Sequence, residues 1–546
     1  MVVPEVGGGF GTKANIYPEE PVVVALARHL GRAVKWVQDR SEELLNNIHS
    51  RNHVYDLDVA YDRDGVIHAV RLDMLANAGA YTCFPFGTTL EATGGARMLP
   101  GPYRIRNYAY KTRSVMTNTG PAGAYRGVSQ PTCFFAIEGV MDRIGRKLGI
   151  SPAEVRRRNL IRDDEFPWNN AVGVRYDTGS YHACLERALE MADYDRLQAR
   201  SGRLDPDGKY RGVGICNFTE STGTGVRGWR ARGLSRLPGY DSATIRVEPT
   251  GGVSAFISQA SAGQGHLTTF AQLVADQVGV RMEDVTVVEG DTALVPYGTN
   301  TVASRSAITA GGAVIRAGAK VAEKLRRLAA FSLGVSPSDI VLRNGVAWVA
   351  DEPETRVSIE TLARTAYAIG HQSLPQGEEY GLEATDIYDP PMVTIANAVH
   401  IARVAVDPQD GRVAVEDYVV VHDCGRVINP MIVEGQIHGG VAQGIGEALM
   451  EEFVYDSSGQ MLNANLLEYM LPTSLDIPDI RIDHIETPTI DAVGGFKGVG
   501  ESGVIGAVPA IANAVADALS QIGANLNQIP LRPAVVYSLI RQANGE

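Results

Sequence analysis

Three stretches of the chain share one pattern: an alternating run of apolar and polar residues, a short turn rich in acidic residues or glycine, and a second alternating run. They occupy residues 54–61 with 66–75, 243–247 with 253–258, and 404–406 with 413–421. Alternation places one face of a strand in a core, and turn residues between two such runs favour a hairpin. The recurrence predicts duplicated α+β subdomains, although hairpins are common enough to recur without duplication.

Helical patterns lie between these hairpins, and several of them begin directly after a glycine-rich loop. Helices are predicted over residues 21–30, 152–159, 181–192, 266–278, 307–333 and 433–449. A segment rich in Arg, Asp and Gly then divides the chain into a first domain of residues 1–195, a linker of residues 196–212 and a second domain of residues 213–546. The fold class predicted from the pattern is α+β.

Length, charge and cysteine content argue against several classes of protein. A chain of 546 residues is too long for one ordinary core, and a net charge of −13 argues against a nucleic-acid partner. No apolar run is long enough to span a membrane. The five cysteines include no CxxC pair, so the chain is not expected to hold an iron–sulfur or zinc site, and the cytoplasm is the expected compartment.

Six glycine-rich loops carry the candidate chemistry, and the last of them surrounds a carboxylate. In Gly494-Gly495-Phe496-Lys497-Gly498-Val499-Gly500-Glu501-Ser502-Gly503, five glycines flank Glu501, and a long small-residue segment follows. This predicts a tight loop that presents Glu501 at the start of a helix, where free N–H groups can face an anion. Residues 498–503 also match GxGxxG, but the carboxylate would repel a pyrophosphate, so an NAD-dependent dehydrogenase is a weak alternative.

Taken in order, the six loops resemble those of the molybdenum-binding large subunit of the xanthine dehydrogenase/aldehyde oxidase family. The matching motifs are GGGFGTK at 7–13, AYRG at 124–127, GQGH at 263–266, TNTVASRS at 299–306, DCG at 423–425 with NP at 429–430 and EGQ at 434–436, and KGVGESG at 497–503. The match covers nearly the whole chain. It implies two elongated molybdopterin-binding domains, each built of duplicated mixed subdomains.

The resemblance implies a role for individual residues. Glu501 is the expected catalytic base, and no side chain is expected to ligate the metal. The expected cofactor-binding residues are Gly9, Phe10, Gly11, Arg126, Gly263, Gln264, Gly265, Thr301, Ser304, Ser306, Gln436 and Gly500. Each has an ordinary explanation when taken alone: Phe10 as a core aromatic, Arg126 as a salt-bridged surface residue, Ser304 and Ser306 as helix caps.

The resemblance also implies the cofactor, the reaction and the partners. The cofactor is a molybdenum–pterin, extended by cytosine dinucleotide in bacterial members. The reaction is hydroxylation of an aldehyde or N-heteroaromatic carbon with oxygen from water, and the electrons leave through [2Fe-2S] and FAD groups on partner subunits. A dimer of such heteromers is expected. A non-catalytic or incomplete subunit of the same complex remains the main alternative.

The chain departs from the family pattern before the first glycine loop and at three positions in or beside the first two loops. The segment that usually precedes the first glycine loop in the family is absent from this sequence. Either a second chain is expected to supply it, or the sequence is a fragment or has a misassigned start. Ala14 and Val128 stand where purine-oxidising members carry Glu and an aromatic residue, and Gly127 stands where the carbon monoxide enzymes carry Cys. These differences argue against xanthine and carbon monoxide. Tyr81, Phe84 and Phe86 are candidate pocket aromatics, or simply core residues.

Overall fold

The computed structural model describes residues 1–368 and 374–545, and within them helices and strands alternate. The helices are α1 Glu19–Leu30, α2 Arg40–Asn46, α3 Thr88–Met98, α4 Gln130–Leu148, α5 Pro152–Asn159, α6 Tyr181–Ala192, α7 Tyr194–Gln198, α8 Val226–Ala231, α9 His266–Val278, α10 Ser306–Leu333, α11 Ile359–Ala368, α12 Pro430–Leu449, α13 Ser502–Ala518 and α14 Pro533–Ala543. The strands are β1 His53–Tyr61, β2 Ile67–Gly79, β3 Asn107–Met116, β4 Trp168–Asn169, β5 Arg175–Tyr176, β6 Tyr210–Thr222, β7 Asp241–Val247, β8 Val253–Ile257, β9 Val285–Val288, β10 Ile340–Arg343, β11 Val346–Val349, β12 Glu352–Ser358, β13 Glu383–Tyr388, β14 Thr394–Val406, β15 Val413–Asp423 and β16 Ile480–His484.

One supersecondary unit occurs three times: an antiparallel hairpin, a helix, a strand parallel to the second hairpin strand, and another helix. The first copy is β1–β2, α3, β3 and α4. The second is β7–β8, α9, β9 and α10, and the third is β14–β15, α12, β16 and α13. The three predicted hairpins are therefore confirmed, and what repeats is a larger unit than the hairpin.

Two of the copies gain a fourth strand from elsewhere in the chain. β13 pairs antiparallel with β7, and β6 pairs antiparallel with β14 over thirteen residues of each. Both extra strands pair with the first strand of the hairpin, at the edge of the sheet opposite the parallel strand. β6 is thus an edge strand, but nearly all of its residues are buried, and α13 packs along it.

The buried residues form two large cores. One core contains residues from 67–194 together with residues from 213–218 and 395–540, and the other contains residues from 243–388 with Phe496. The first core thus joins segments on either side of residues 196–212. The division into two domains at that linker remains a prediction.

The predicted helices are close to those observed, with the largest differences at their starts. Helices α6 and α9 have the predicted bounds, while α10 begins one residue earlier and α12 three residues earlier than predicted. The early start of α12 comes from Asn429, whose side chain accepts a hydrogen bond from the Ile432 N–H and caps the helix. In the part of the chain that the structure describes, none of the helices combines the length and apolarity needed to cross a bilayer.

Candidate functional site

Glu501 immediately precedes α13, at the point where the predicted loop ends and the helix begins. Its backbone N–H donates to the Ser304 hydroxyl oxygen at 3.1 Å, which fixes the loop against the strand-to-helix loop before α10. Burial raises the pKa of its carboxyl group, and the nearby Gly127 N–H opposes that rise. Three arginines also oppose it by their charge: Arg126, Arg51 and Arg232. The site therefore holds a desolvated carboxylate surrounded by cations.

Arg126 is a buried residue whose guanidinium donates hydrogen bonds to several segments around Glu501. Its Nε donates to the Gly500 carbonyl at 2.6 Å, and one Nη donates to the Gln443 amide oxygen at 3.0 Å. The other Nη donates to the carbonyl and the side-chain oxygen of Gln436 at 2.9 and 3.3 Å. None of the carboxylates described lies within ion-pair distance of it. Arg126 is therefore not a salt-bridged surface arginine.

The first glycine loop lies directly on the Arg126 loop. The Arg126 N–H donates to the Phe10 carbonyl at 2.8 Å, and the guanidinium lies 5.8 Å from the centre of the Phe10 ring. Gly11 has φ of +115°, and a Cβ there would lie 2.2 Å from the Ala124 carbonyl oxygen. Phe10 is 49% exposed, so it is not a core aromatic. The structure thus brings Phe10, Gly11 and Arg126 together, as the resemblance implies.

A second group of predicted residues lies around the starts of α9 and α10. The Thr301 hydroxyl donates to the Ala260 carbonyl at 3.2 Å, and the Ser306 hydroxyl donates to the Thr301 oxygen at 3.3 Å. The Gln264 side-chain oxygen accepts from the Ala262 N–H at 2.6 Å. Because Ser304 belongs to the same loop as Thr301, this group continues from the Glu501 group. The Ser304 and Ser306 hydroxyls do not cap α10, whose first turn has no side-chain cap bond.

Three of the glycines predicted to bind the cofactor, Gly9, Gly263 and Gly265, lie in surroundings that differ from one another. Gly265 lies against the Ile432 side chain at the start of α12, and Gly9 accepts two hydrogen bonds from Thr12 within its own loop. A Cβ on Gly263 would meet nothing within 4 Å. The described contacts therefore do not bring Gly9 or Gly263 to Glu501.

Strained backbone is concentrated in these loops. Seven non-glycine residues of the described chain have positive φ, and five of them flank the site: Phe10, Arg51, Val128, Ala303 and Ser304. Such conformations cost about 1–3 kcal/mol each and persist where the surroundings hold them, commonly at ligand sites. Their clustering indicates that the backbone here is shaped for a ligand.

Sequence reasoning missed a buried polar chain behind Glu501. Glu220 on β6 is fully buried and accepts a hydrogen bond from the Ser502 hydroxyl, and the Ser502 oxygen is 2.8 Å from Nε2 of buried His422. Burial and the charge of Glu501 raise the pKa of Glu220 to about 7. Burial holds the pKa of His422 well below its usual value, so this histidine is neutral. That Glu220 is the one acidic residue of β6 was the only signal in the sequence.

Arg51 is the second residue that no motif indicated. Its Nε donates to Glu447 at 2.9 Å, and its Nη atoms donate to the carbonyls of Tyr125 and Arg126. It therefore holds the Arg126 loop from the side opposite the glycine loop. Its position depends on contacts with residues far apart in the chain, which leave no local pattern.

Two family models match the chain, and both are described as a molybdopterin cofactor-binding domain. One covers residues 1–160 and the other residues 187–478. The second alone spans more than half of the chain. The chain belongs to the xanthine dehydrogenase/aldehyde oxidase family. It is a molybdopterin cofactor-binding protein of the large-subunit type.

Relatives of this molybdopterin-binding chain include enzymes with different substrates. It is 40% identical to the nicotine 6-hydroxylase large subunit of Paenarthrobacter nicotinovorans, over 98% of this chain and 65% of that protein. It is 35% identical to the carbon monoxide dehydrogenase large chain of Hydrogenophaga pseudoflava, over 100% of this chain and 68% of that protein. The crystal structure of quinoline 2-oxidoreductase from Pseudomonas putida 86 superposes with a TM-score of 0.95 at 39% identity, over 99% of this chain and 68% of that one. The chain thus spans about two thirds of the length of these relatives.

The residues around Glu501 fit a polyanionic pterin cofactor. Arg126 is buried, its guanidinium has no carboxylate partner among the described residues, and positive-φ residues cluster in the loops around it, the kind of backbone that gathers N–H groups toward an anion. Among residues 1–368 and 374–545, no three His, Cys, Asp or Glu side chains are grouped as metal ligands.

Proposed function

We propose that this chain supplies the cofactor site and the catalytic base of a molybdenum hydroxylase that oxidises an aldehyde or N-heteroaromatic carbon with oxygen from water. The observation that carries this proposal is the position of Glu501, a desolvated carboxylate held beside Arg126 where both halves of the chain meet. When bound, the molybdenum–pterin supplies the redox chemistry and takes up the electrons of the oxidised carbon.

Glu501 acts as the general base in this proposal. Burial raises the affinity of its carboxylate for a proton, and a base whose pKa lies closer to neutral pH accepts and returns a proton efficiently. Its loop is fixed by the Ser304 bond and by Arg126, so the carboxylate is positioned before the substrate binds. The neighbouring Glu220 can add negative charge beside Glu501, and it forms no ion pair with Arg126 among the described contacts.

The cofactor is held by two groups of residues. Phe10, Gly11, Arg126, Gln436 and Gly500 form the group beside Glu501. Ser304, Thr301, Ser306, Gln264 and Gly265 continue from it toward the starts of α9 and α10. Gly263, with φ of +100°, gives its loop a turn, and the Gly9 carbonyl closes its own loop by accepting from Thr12. This second group is proposed to bind the nucleotide part of the cofactor, for which we infer the cytosine dinucleotide form.

The partners are inferred from what this chain lacks. Within its described residues no cluster of metal ligands could hold an electron carrier, so a [2Fe-2S] subunit and a FAD subunit are proposed to take the electrons. Helix α1 has no buried residue, and Val22, Val24 and Leu30 on it are exposed. A partner subunit is proposed to cover this helix, in a cytoplasmic dimer of heteromers.

Carbon monoxide and purines are excluded from the proposed substrates. Gly127 has φ of +86°, and a Cβ there would lie 3.1 Å from both Ile505 and Pro131, so the cysteine of the carbon monoxide enzymes would be strained and crowded. Ala14 and Val128 are small aliphatic residues at the positions where purine-oxidising members carry Glu and an aromatic residue. An aldehyde or an N-heteroaromatic ring remains.

Replacement of the base tests the proposal. In the complex purified with its partners, Glu501→Gln is expected to keep the molybdenum content and to lose about 10²–10⁴-fold in kcat for quinoline or an aromatic aldehyde. The control is Glu434→Gln, which removes a half-exposed carboxylate of α12 and should keep full activity. Normal turnover in Glu501→Gln contradicts the role of Glu501, and a preparation without molybdenum indicates a non-catalytic subunit.

A further inference from the structure

A short segment between β6 and β7 is strongly basic in an acidic protein. Residues 223–240 contain four arginines, Arg227, Arg230, Arg232 and Arg236, and no acidic residue, although the whole chain has a net charge of −13. None of these arginines forms an ion pair with any carboxylate of the described residues. Their charge is therefore not used to hold the fold together.

The segment is nevertheless anchored at both ends. The buried Arg305 donates from Nε to the Thr224 carbonyl at 3.2 Å and from Nη to the Gly239 carbonyl at 2.6 Å, and it pairs with Asp241 at 2.6 Å. Arg305 thus closes the segment into a fixed loop that carries α8. A fixed loop of unpaired cations has a defined position relative to the site.

Arg232 is the member of this loop whose charge acts on Glu501. It donates to the Ser221 hydroxyl oxygen at 3.1 Å, and its guanidinium lies 5.6 Å from the Trp229 ring. Burial, together with the like charge of Arg97 on α3, lowers the pKa of Arg232 to about 10, while Glu501 raises it. The group is still protonated at neutral pH. Arg97 of α3 and Arg232 at the end of α8 are close enough for their like charges to interact, and neither forms an ion pair with a carboxylate of the described residues.

Trp229 adds a donor without a partner. Its side chain is 1% exposed, and no described acceptor lies within hydrogen-bonding distance of its indole Nε1. It packs on Phe86, with ring centres 5.7 Å apart, in a small apolar cluster that also includes Leu90 and Val128. An indole N–H without an acceptor and a guanidinium without an ion-pair partner among the described residues, beside an apolar wall, are the complement of a flat ring with an anionic substituent.

We propose that Arg232 and Trp229 bind the carboxylate of an N-heteroaromatic acid, whose ring packs against the cluster of Phe86, Leu90 and Val128. The identification of the ligand as the substrate rests on the function proposed for Glu501. The aromatic and aliphatic side chains provide the area that a ring needs, and the carboxylate supplies the direct ion pair that Arg232 lacks among the described residues. The exposed arginines of the same segment attract the anion from solution.

Binding measurements with a matched pair of ligands test this inference. Pyridine-3-carboxylate and pyridine-3-carboxamide differ in charge and little in shape, and their affinities for the full complex are measured by titration calorimetry. The wild-type complex is expected to bind the carboxylate at least about tenfold more tightly, since a charged hydrogen bond to a guanidinium is lost with the amide. Arg232→Gln should remove this preference, and Arg232→Lys should keep part of it.

The control is Arg236→Gln, which removes an exposed arginine of the same segment and should change the preference less than about twofold. The inference is wrong if the wild type shows no preference or if Arg232→Gln retains it. It is also wrong if Arg232→Gln loses bound pterin, because the arginine then holds the cofactor. Molybdenum content and quinoline turnover are measured separately, so an Arg232-dependent preference in a complex without molybdenum supports the site and contradicts only the proposed function.

Discussion

At the scale of single residues, two carboxyl groups share one desolvated region. Burial raises the pKa of both Glu501 and Glu220, and the charge of Glu501 raises the pKa of Glu220 further, to about 7. Arg126 and the hydroxyls of Ser304 and Ser502 oppose the rise at Glu220. A pair coupled in this way releases its protons in two steps.

Glu220→Gln removes the second of these steps. The charge of Glu501 raises the pKa of Glu220, so Glu220 is still protonated where Glu501 loses its proton, and a neutral glutamine should leave the acid limb of kcat/KM in place. The variant should lose the inflection that the ionisation of Glu220 produces near pH 7, and the measurement is the pH profile of kcat/KM for the complex. The control is Glu451→Gln, a half-buried glutamate whose pKa is also raised to about 7 and which accepts a hydrogen bond from Tyr469, and it should keep that inflection. An inflection near pH 7 that persists in Glu220→Gln contradicts the coupling.

Glu220→Gln should also change how the free energy of unfolding depends on pH. The folded-state pKa of Glu220 is raised, so its contribution to folding is present below its usual pKa and is lost as pH rises through about 7. Each pKa unit is equivalent to about 1.4 kcal/mol. Relative to the wild type, Glu220→Gln should therefore gain unfolding free energy between pH 4.5 and 7, as measured by urea denaturation. A difference that stays constant with pH contradicts this assignment.

At the scale of elements, small residues allow α13 to lie unusually close to its neighbours. A Cβ on Gly214 of β6 would be 2.1 Å from the Ala510 carbonyl oxygen, and a Cβ on Gly440 of α12 would be 2.6 Å from Gly503. The small-residue composition of residues 504–521 was thus a packing signal as well as a helix signal. Because Glu501 begins this helix, the close packing sets the depth at which the carboxylate lies.

Gly440→Ala tests the close packing of α12 on α13. The added methyl would overlap backbone atoms of Gly503 and Val504, so the variant should lose about 1–3 kcal/mol of unfolding free energy. The control is Gly435→Ala in the same helix, where a Cβ meets nothing within 4 Å and helix propensity predicts a gain of up to about 1 kcal/mol. Equal stability of both variants in guanidinium denaturation would show that the two helices separate without cost.

At the scale of the whole molecule, one core and one buried charge network join the two halves of the chain. Arg156 of α5 pairs with Glu138 at 2.9 Å and Asp142 at 2.7 Å, and all three are buried. Its Nη also donates to the Ile215 carbonyl of β6 at 2.9 Å, and Glu138 accepts from the Asn217 N–H at 2.9 Å. β6, which carries Glu220, is therefore held by residues that lie before the predicted linker.

Arg156→Met removes the cation from this network. Two buried carboxylates then lose their partner, and the loss of unfolding free energy is expected to be about 3–5 kcal/mol. Arg71→Met is the control, because Arg71 pairs with Asp58 on the surface and should cost less than about 1 kcal/mol. Comparable melting temperatures for the two variants, measured by calorimetry, would contradict a structural role for the Arg156 network.

Much of the local structure follows from local pattern. The three hairpins and helices α6 and α9 are where the alternation and the helical spacing place them, because each of these signals depends on neighbouring residues. The start of α12 was missed because an Asn cap three residues upstream outweighed the apolar pattern. The capping of α10 by serine was wrong because Ser304 instead receives the Glu501 N–H.

The sequence by itself determined the repeated hairpins, the glycine loops and, through their order, the family and the choice of Glu501. These signals are local, since glycine, turn residues and periodicity act through the backbone of their own segment. Only the tertiary structure decided what lies beside Glu501. The Ser502 bond to Glu220 joins residues 282 positions apart. The unpaired Arg232 is recognisable only once all of its neighbours are known, because partners of a charge are chosen by proximity in space.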